Sequence, residues 1–357
     1  MRVAVLGAGA GGAAAAADLT LRGHRVRLWH PRVARLEPFV VSGAVRFEGV
    51  LGEGDAPLEL ATFDLAEALA GADVAVLCLP AVVREAVVRA WAGVETVTPL
   101  ILNPGHTGGA LHVAASLRRL GAEPPPLAAF STLTYVARSR EPGSVTITGV
   151  ANRVFAAALP GGEAALELAQ ELFPQAQPVG DVLAVDLANT NLVLHPPGVI
   201  LGAAWIEATG GDFRFYVEGM TPGVVRVLEA LDQERLAVAR AYGHELEPLA
   251  AEMAAIGTAD PELAARGDTR GAIREGGANA TIRAPGSLEH RYYAEDVCQG
   301  LAPFCALAAA AEMAVPVAQS LLRLGLVLLG EQAGGVVDAD ELGIAGLDAA
   351  GVLALVR

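Results

Sequence analysis

An apolar run, Arg2–Leu6, leads straight into Gly7-Ala8-Gly9-Ala10-Gly11-Gly12 and then into the alanine-rich stretch Gly11–Arg22, which has helical character. Gly7, Gly9 and Gly12 fall on G-x-G-x-x-G spacing. Each answers a separate demand: Gly7 makes a tight turn, Gly9 lets backbone approach a pyrophosphate, and Gly12 allows close helix–strand packing. The N-terminus of the next helix would face the phosphates with free N–H groups and the positive end of its dipole. With 41 glycines in 357 residues, the spacing alone is a weak signal. The context carries it, because a strand precedes, a helix follows, and a second strand, His24–Trp29, comes next. Dinucleotide binding is therefore favoured over a plain packing turn.

The first half alternates β-rich runs with alanine-rich helical runs, the pattern of a doubly wound α/β sheet of Rossmann type. Further strands are expected at Asp73–Leu79, Pro99–Leu102 and Leu127–Thr132, with Ser144–Thr148 continuing the same sheet. Val45–Gly49 and Leu58–Ala61 are expected as an inserted hairpin. Beyond Val182, helical periodicity replaces strands, notably at Asp186–Leu194, Val224–Ala241, Glu245–Ala255, Leu301–Ala314 and Val317–Leu329. The expected division is 1–181 for a dinucleotide-binding domain and 182–357 for an all-helical substrate and dimerisation domain. Residues 257–288, glycine-rich and polar, are expected as a loop.

The second strand ends Leu28-Trp29-His30-Pro31-Arg32, with no acid before Glu37 to take a ribose 2′-hydroxyl. His30 and Arg32 suit a 2′-phosphate, which favours NADP while leaving NAD open; Arg32 as a solvated loop charge is the plain alternative. Pro80, after the strand at 73–79, completes the expected cofactor-binding set.

Composition narrows the chemistry. At 53% hydrophobic and 18% charged, the chain is not generally disordered, and its net charge of −15 argues against nucleic acid and anionic membranes. All 25 basic residues are arginine. The absence of lysine excludes a Schiff-base lysine, a lysine acid/base and a Walker phosphate loop. Cys78, Cys298 and Cys305 lack C-x-x-C spacing and read as reduced thiols of a cytoplasmic protein. The seven histidines show no metal spacing, so no metal is expected. The apolar region 300–329 is broken by Glu312, Pro316 and Arg323, so no membrane span is expected there.

A nucleotide-binding domain followed by helices describes several dehydrogenase families, and those that rely on a lysine near the reacting carbon are set aside. A proton donor must then come from histidine, carboxylate or tyrosine. Asn191 and His195 share a helix face at i, i+4, and Pro196-Pro197 are expected to bend or break the helix beside His195. Taken alone, a helix-end histidine satisfied by backbone is the default reading of this segment.

The segment Asn-x-Asn-x-x-x-His-Pro at 189–196, together with Arg291-Tyr292-Tyr293-Ala294-Glu295-Asp296-Val297, resembles the octopine/nopaline (opine) dehydrogenases. Asn103-Pro104-Gly105 with Gly108-Gly109-Ala110-Leu111, Tyr216 to Pro222, and Leu231-Asp232-Gln233-Glu234-Arg235 resemble the family in the same order. The resemblance implies NAD(P)H-dependent, reversible condensation of an amino acid's amine with an α-keto acid, giving an N-(1-carboxyalkyl)amino acid. It also implies that His195 and Asp296 handle the proton and that Arg291 binds a carboxylate. Without it, Asp296 reads as a helix N-cap and Arg291 as a surface ion-pair partner of Glu295 or Glu289. Asn191, His106 and Thr132 complete the expected substrate residues, the last two because they follow strand ends. Trp205, Phe213, Phe215 and Tyr216 are read as core or loop packing, with one of them as a wall of the amino-acid pocket the alternative, and a homodimer is expected. A keto-acid or imine reductase of the same fold, and a non-catalytic NADP sensor, remain the alternatives.

Overall fold

The computed structural model describes residues 1–139, 141–277, 279–333 and 335–357. Its contacts divide it into two compact units, one of Met1–Gly105 with Val113–Val182 and one of His106–His112 with Leu183–Arg357. The short segment His106–His112 thus groups with the later residues, where the sequence pattern points to one cut after residue 181.

The strands of the first unit are, in chain order, Arg2–Leu6 (β1), Arg25–Trp29 (β2), Ala44–Gly49 (β3), Gly54–Pro57 (β4), Leu60–Thr62 (β5) and Val74–Leu77 (β6). They continue with Leu100–Leu102 (β7), Leu127–Phe130 (β8), Tyr135–Arg138 (β9), Ser144–Val150 (β10), Val154–Ala158 (β11) and Ala176–Pro178 (β12). The main sheet has the order β12-β11-β8-β7-β6-β1-β2-β5. It is parallel except where β11 runs antiparallel to β8. Strand order reverses at β1, between β2 and β6, the switch point at which such sheets bind ligands, and Gly7 sits at the carboxyl end of β1.

A second sheet, β4-β3-β10-β9, accounts for two departures from expectation. β3 forms its hairpin with β4, and the run near residue 60 instead pairs in parallel with β2. β10 leaves the main sheet and pairs with β3 and β9. The helix Ala10–Leu21 packs against strands of both sheets, and Ala13 to Ala17 are completely or almost completely buried. Alanine suits a helix pressed on several sides, since larger side chains would hold the layers apart.

The second unit is helical. Its central helix, Thr190–Leu201, packs against Pro222–Ala241, Arg291–Asp296 and Pro316–Leu329. Two expectations fail here. The single helix at 186–194 divides into Val182–Leu187 and Thr190–Leu201, because the Asn189 side chain accepts the Asn191 N–H at 3.1 Å and starts a new helix. Pro196 and Pro197 do not break that helix, which runs on to Leu201. The prolines remove the amides that would bond the Leu192 and Val193 carbonyls, but burial of residues 192–200 holds the helix together. The loop expected at 257–288 contains the helices Pro261–Ala265 and Thr269–Glu275, each started by an aspartate cap.

Among the described residues, no single helix is long and apolar enough to cross a membrane; Val182–Leu201 and Ala203–Thr209 reach that composition only as a pair bent by 65°.

Candidate active site

In the first unit two glycines of the turn meet the packing demands read from the sequence. Gly7 has φ 133°, and a Cβ there would lie 2.5 Å from the Cys78 carbonyl oxygen. A Cβ on Gly12 would collide with the Gly7 carbonyl. Gly9 differs, since a Cβ built on it meets nothing within 4 Å. It caps the helix Ala10–Leu21 without any side-chain hydrogen bond, and no acid stands in the first turn. Two glycines are therefore required by packing, whereas Gly9 faces open space at a helix N-terminus, a cradle suited to a pyrophosphate.

His30, buried at the end of β2, accepts the Arg32 N–H on Nδ1 at 2.9 Å. Its neutral tautomer then carries the proton on Nε2. Burial first, then the Arg32 and Arg35 charges, lower its pKa and keep it neutral. Arg32 and Arg35 are both exposed at the start of the helix Val33–Ser42. Arg35 was not singled out from the sequence, although Arg-x-x-Arg at a helix start is a legible phosphate signal. Pro80 ends the run after β6 and precedes a 3₁₀ turn, Ala81–Val83. Thr132 lies half-buried just past β8.

In the second unit, His195 Nδ1 lies 2.8 Å from Asp296 Oδ2 and Nε2 lies 2.8 Å from the Tyr216 hydroxyl. Both members of the His–Asp pair are buried, at 5% and 3% exposure. Asp296 ends the helix Arg291–Asp296 and holds the N-cap position of the turn Val297–Leu301, but its side chain makes no capping bond; its carboxylate is committed to the imidazole. Burial raises the Asp296 pKa, with Glu295 adding to the rise and His195 and Arg291 opposing it. The ring of Tyr292 stacks on His195 with centroids 3.7 Å apart, and the Tyr216 and Tyr292 hydroxyls approach to 3.4 Å.

Local sequence accounts for this convergence. Tyr216 stands in a π turn, Phe215–Gly219, and Asp296 directly precedes another, Val297–Leu301. Such wide turns re-aim side chains that a regular helix would send elsewhere. His290 caps the Arg291 helix by accepting the Tyr292 N–H at 3.3 Å. Asn191 is half-buried one turn before His195.

Arg291 is half-exposed, with Nη1 3.7 Å from Glu295 Oε2. The other Glu295 oxygen lies 3.3 Å from Nε2 of buried His106. The structure thus brings His106, Arg291, His195 and Asp296 into one unit, tied through Glu295, whose neighbour in sequence is Asp296. Sequence reasoning missed Tyr216, Tyr292 and Glu295 as members of this constellation. Tyr216 and Tyr292 look like core aromatics until the backbone places them, and Glu295 was read only as an ion-pair partner.

Among the described residues, no three His, Cys, Asp or Glu side chains group as a metal ion would require. Burial pushes the Cys298 thiol up to about 11, so it stays protonated beside the pair at neutral pH.

Residues 178–329 match the family described as NAD/NADP octopine/nopaline dehydrogenase, alpha-helical domain. Residues 2–103 match that described as NAD-dependent glycerol-3-phosphate dehydrogenase N-terminus. An opine dehydrogenase of Arthrobacter sp. (strain 1C) is 33% identical over 360 residues, covering 99% of this chain and 98% of the relative. The chain belongs to the octopine/nopaline, or opine, dehydrogenase family. It is an NAD(P)-dependent oxidoreductase. Vitopine synthase of Allorhizobium ampelinum (strain ATCC BAA-846 / DSM 112012 / S4) is 26% identical over 156 residues, 43% of this chain and 42% of that one. The fold agrees with that of an octopine dehydrogenase with NADH and L-arginine (TM-score 0.75, 21% identity, 99% and 98% of the two chains). It agrees equally with that of a yersinopine dehydrogenase with NADP+ bound (TM-score 0.75, 18% identity, 99% and 97%).

Proposed function

We propose that this opine dehydrogenase joins the amine of an amino acid to the carbonyl carbon of an α-keto acid and reduces the resulting C=N bond. Water leaves, one proton is consumed, and the product is an N-(1-carboxyalkyl)amino acid; the reaction is reversible. Bound NAD(P)H supplies the hydride. The observation that carries the reading is the buried 2.8 Å bond from His195 to Asp296.

That bond assigns the imidazole its tautomer. With Nδ1–H donated to Asp296, Nε2 is the nitrogen that exchanges protons. As the substrate ammonium displaces the Tyr216 hydroxyl from Nε2, His195 takes one of its protons and frees the amine to attack. A second N–H proton passes to the carbonyl oxygen, His195 returns the first to the departing hydroxyl, and Asp296 stabilises the imidazolium between the transfers. The Tyr216 hydroxyl donates to neutral Nε2 and holds the ring in place. The half-exposed Arg291 guanidinium offers paired donors to the keto-acid carboxylate. Asn191 completes the substrate contacts within the second unit, where buried His106 acts through Glu295. An octopine dehydrogenase has been solved with NADH and pyruvate, in support of a small keto acid.

Gly7, Gly9 and Gly12 would hold the cofactor's pyrophosphate, with Pro80 beside the turn. Exposed Arg32 with the Nε2–H of His30 supports NADPH over NADH. The first unit serves the cofactor and the second, which includes His106–His112, the substrates. We place the enzyme in the cytoplasm, on its three free thiols, and as a homodimer, on the exposed Leu201, Trp205, Leu324 and Val327 of the second unit.

The test is nicotinamide oxidation across a panel of amino acids crossed with pyruvate, glyoxylate and 2-oxobutyrate. Oxidation that needs both amine and keto acid is expected. Oxidation with keto acid alone, at the same rate, would make this a carbonyl reductase instead.

A further inference from the structure

We infer that Glu295, backed by His106, is a positioning residue that holds the Arg291 guanidinium for the keto-acid carboxylate. The inference rests on the carboxylate-binding reading of Arg291 and deepens it.

The arrangement is costly by ordinary standards. Glu295 is 4% exposed and sits beside Asp296, so two neighbouring carboxyl groups are buried together. Their mutual repulsion needs compensation. One Glu295 oxygen faces the His106 imidazole at 3.3 Å, and the other faces Arg291 at 3.7 Å. The histidine itself is held at φ 59°, a conformation open to glycine but strained for most side chains. Histidine is among the few side chains that adopt this region, and here it brings an imidazole to face Glu295. Its immediate neighbour, Thr107, accepts a hydrogen bond from Asn189, which starts the helix carrying His195. One short segment therefore braces the start of the His195 helix and, through Glu295, the helix carrying Arg291 and Asp296.

Arg291 needs such a brace. A half-exposed arginine samples many rotamers, and each loses freedom when a ligand fixes it. An ion pair one helical turn away, itself pinned by a buried imidazole, meets part of that loss before substrate arrives. The half-exposed guanidinium keeps donors available for paired hydrogen bonds to a carboxylate.

Electrostatics alone makes the opposite forecast, which renders the idea testable. Removing a negative charge beside an anion site should tighten binding of an anion. The experiment is calorimetric titration of pyruvate into the NADPH-loaded enzyme, comparing the parent with Glu295→Gln, His106→Asn and Arg291→Met. Asparagine tolerates the left-handed backbone at 106, and it serves as the second probe should the Glu295 variant fail to fold. We expect Glu295→Gln and His106→Asn to weaken pyruvate about two- to tenfold, the range for fixing one long side chain. Both should leave NADPH affinity within about twofold of the parent, which global damage would not. Unchanged or tighter pyruvate binding in these variants, with Arg291→Met still defective, overturns the positioning role alone. Parent-like pyruvate binding by Arg291→Met overturns the carboxylate seat and the inference with it.

Discussion

At the residue scale, what matters about His195 is that both ring nitrogens are spoken for. Asp296 takes one and Tyr216 the other, each at 2.8 Å. Asp296→Asn keeps the shape but offers an amide that can donate to Nδ1, favouring the wrong tautomer. We expect kcat to fall on the order of 10³-fold with little change in thermal midpoint, measured by steady-state turnover beside a melting curve. A loss below about tenfold would remove Asp296 from the proton pathway. Tyr216→Phe deletes one hydroxyl from a packed site. Losing a single hydrogen bond of ordinary strength should lower kcat about two- to tenfold while the KM for NADPH stays put. The His–Asp pair was legible because the family resemblance singles out its segments. Tyr216 was not, because a phenolic side chain beside Phe215 carries no sign in sequence of whether its hydroxyl reaches a catalytic ring.

At the element scale, the helix Arg291–Asp296 places Arg291, Tyr292, Glu295 and Asp296 within six residues, and its start depends on His290. The His290 Nδ1 must remain an acceptor to cap the Tyr292 amide. Burial, then Arg291 and His195, lower the His290 pKa to about 4, with Glu295 opposing. The unfolded chain therefore binds more protons than the folded one between about pH 6.5 and 4. Stability from this group is complete above that window and is lost as pH falls through it. Asparagine caps a helix without titrating. His290→Asn should flatten the decline in urea-unfolding stability between about pH 6.5 and 4.5 relative to the parent; parallel declines would refute the cap assignment. Elements were legible where a local signal dominated, as at Gly7–Gly12. They were misread where tertiary context overrode it: Pro196-Pro197 stay helical because the helix is buried, and β10 joins a second sheet that no residue of its own announces.

At the scale of the whole molecule, the chain carries −15 net charge yet binds an anionic cofactor and, on our reading, an anionic keto acid. The attraction must be local, and with no lysine in the sequence the permanent side-chain charges that add to the helix N-terminus at Gly9 are those of arginine. Arg32 and Arg35 are exposed at the start of the helix that follows β2 in the first unit, and Arg291 is exposed in the second. The composition makes a chemical experiment unusually clean, since an amine-acylating reagent has no lysine side chain to modify. We expect such a reagent to leave opine-forming activity largely intact. A dicarbonyl reagent that condenses with guanidinium should abolish it. NADPH should shield Arg32 from the reagent and pyruvate should shield Arg291, each read as loss of the adduct at that residue by peptide mass spectrometry. Modification of Arg291 that proceeds equally with and without pyruvate would remove it from the keto-acid site. Equal modification of Arg32 with and without NADPH would remove the 2′-phosphate contact. The two shieldings are separable because each ligand can be supplied alone, so the arginines of the two units are tested independently in one preparation.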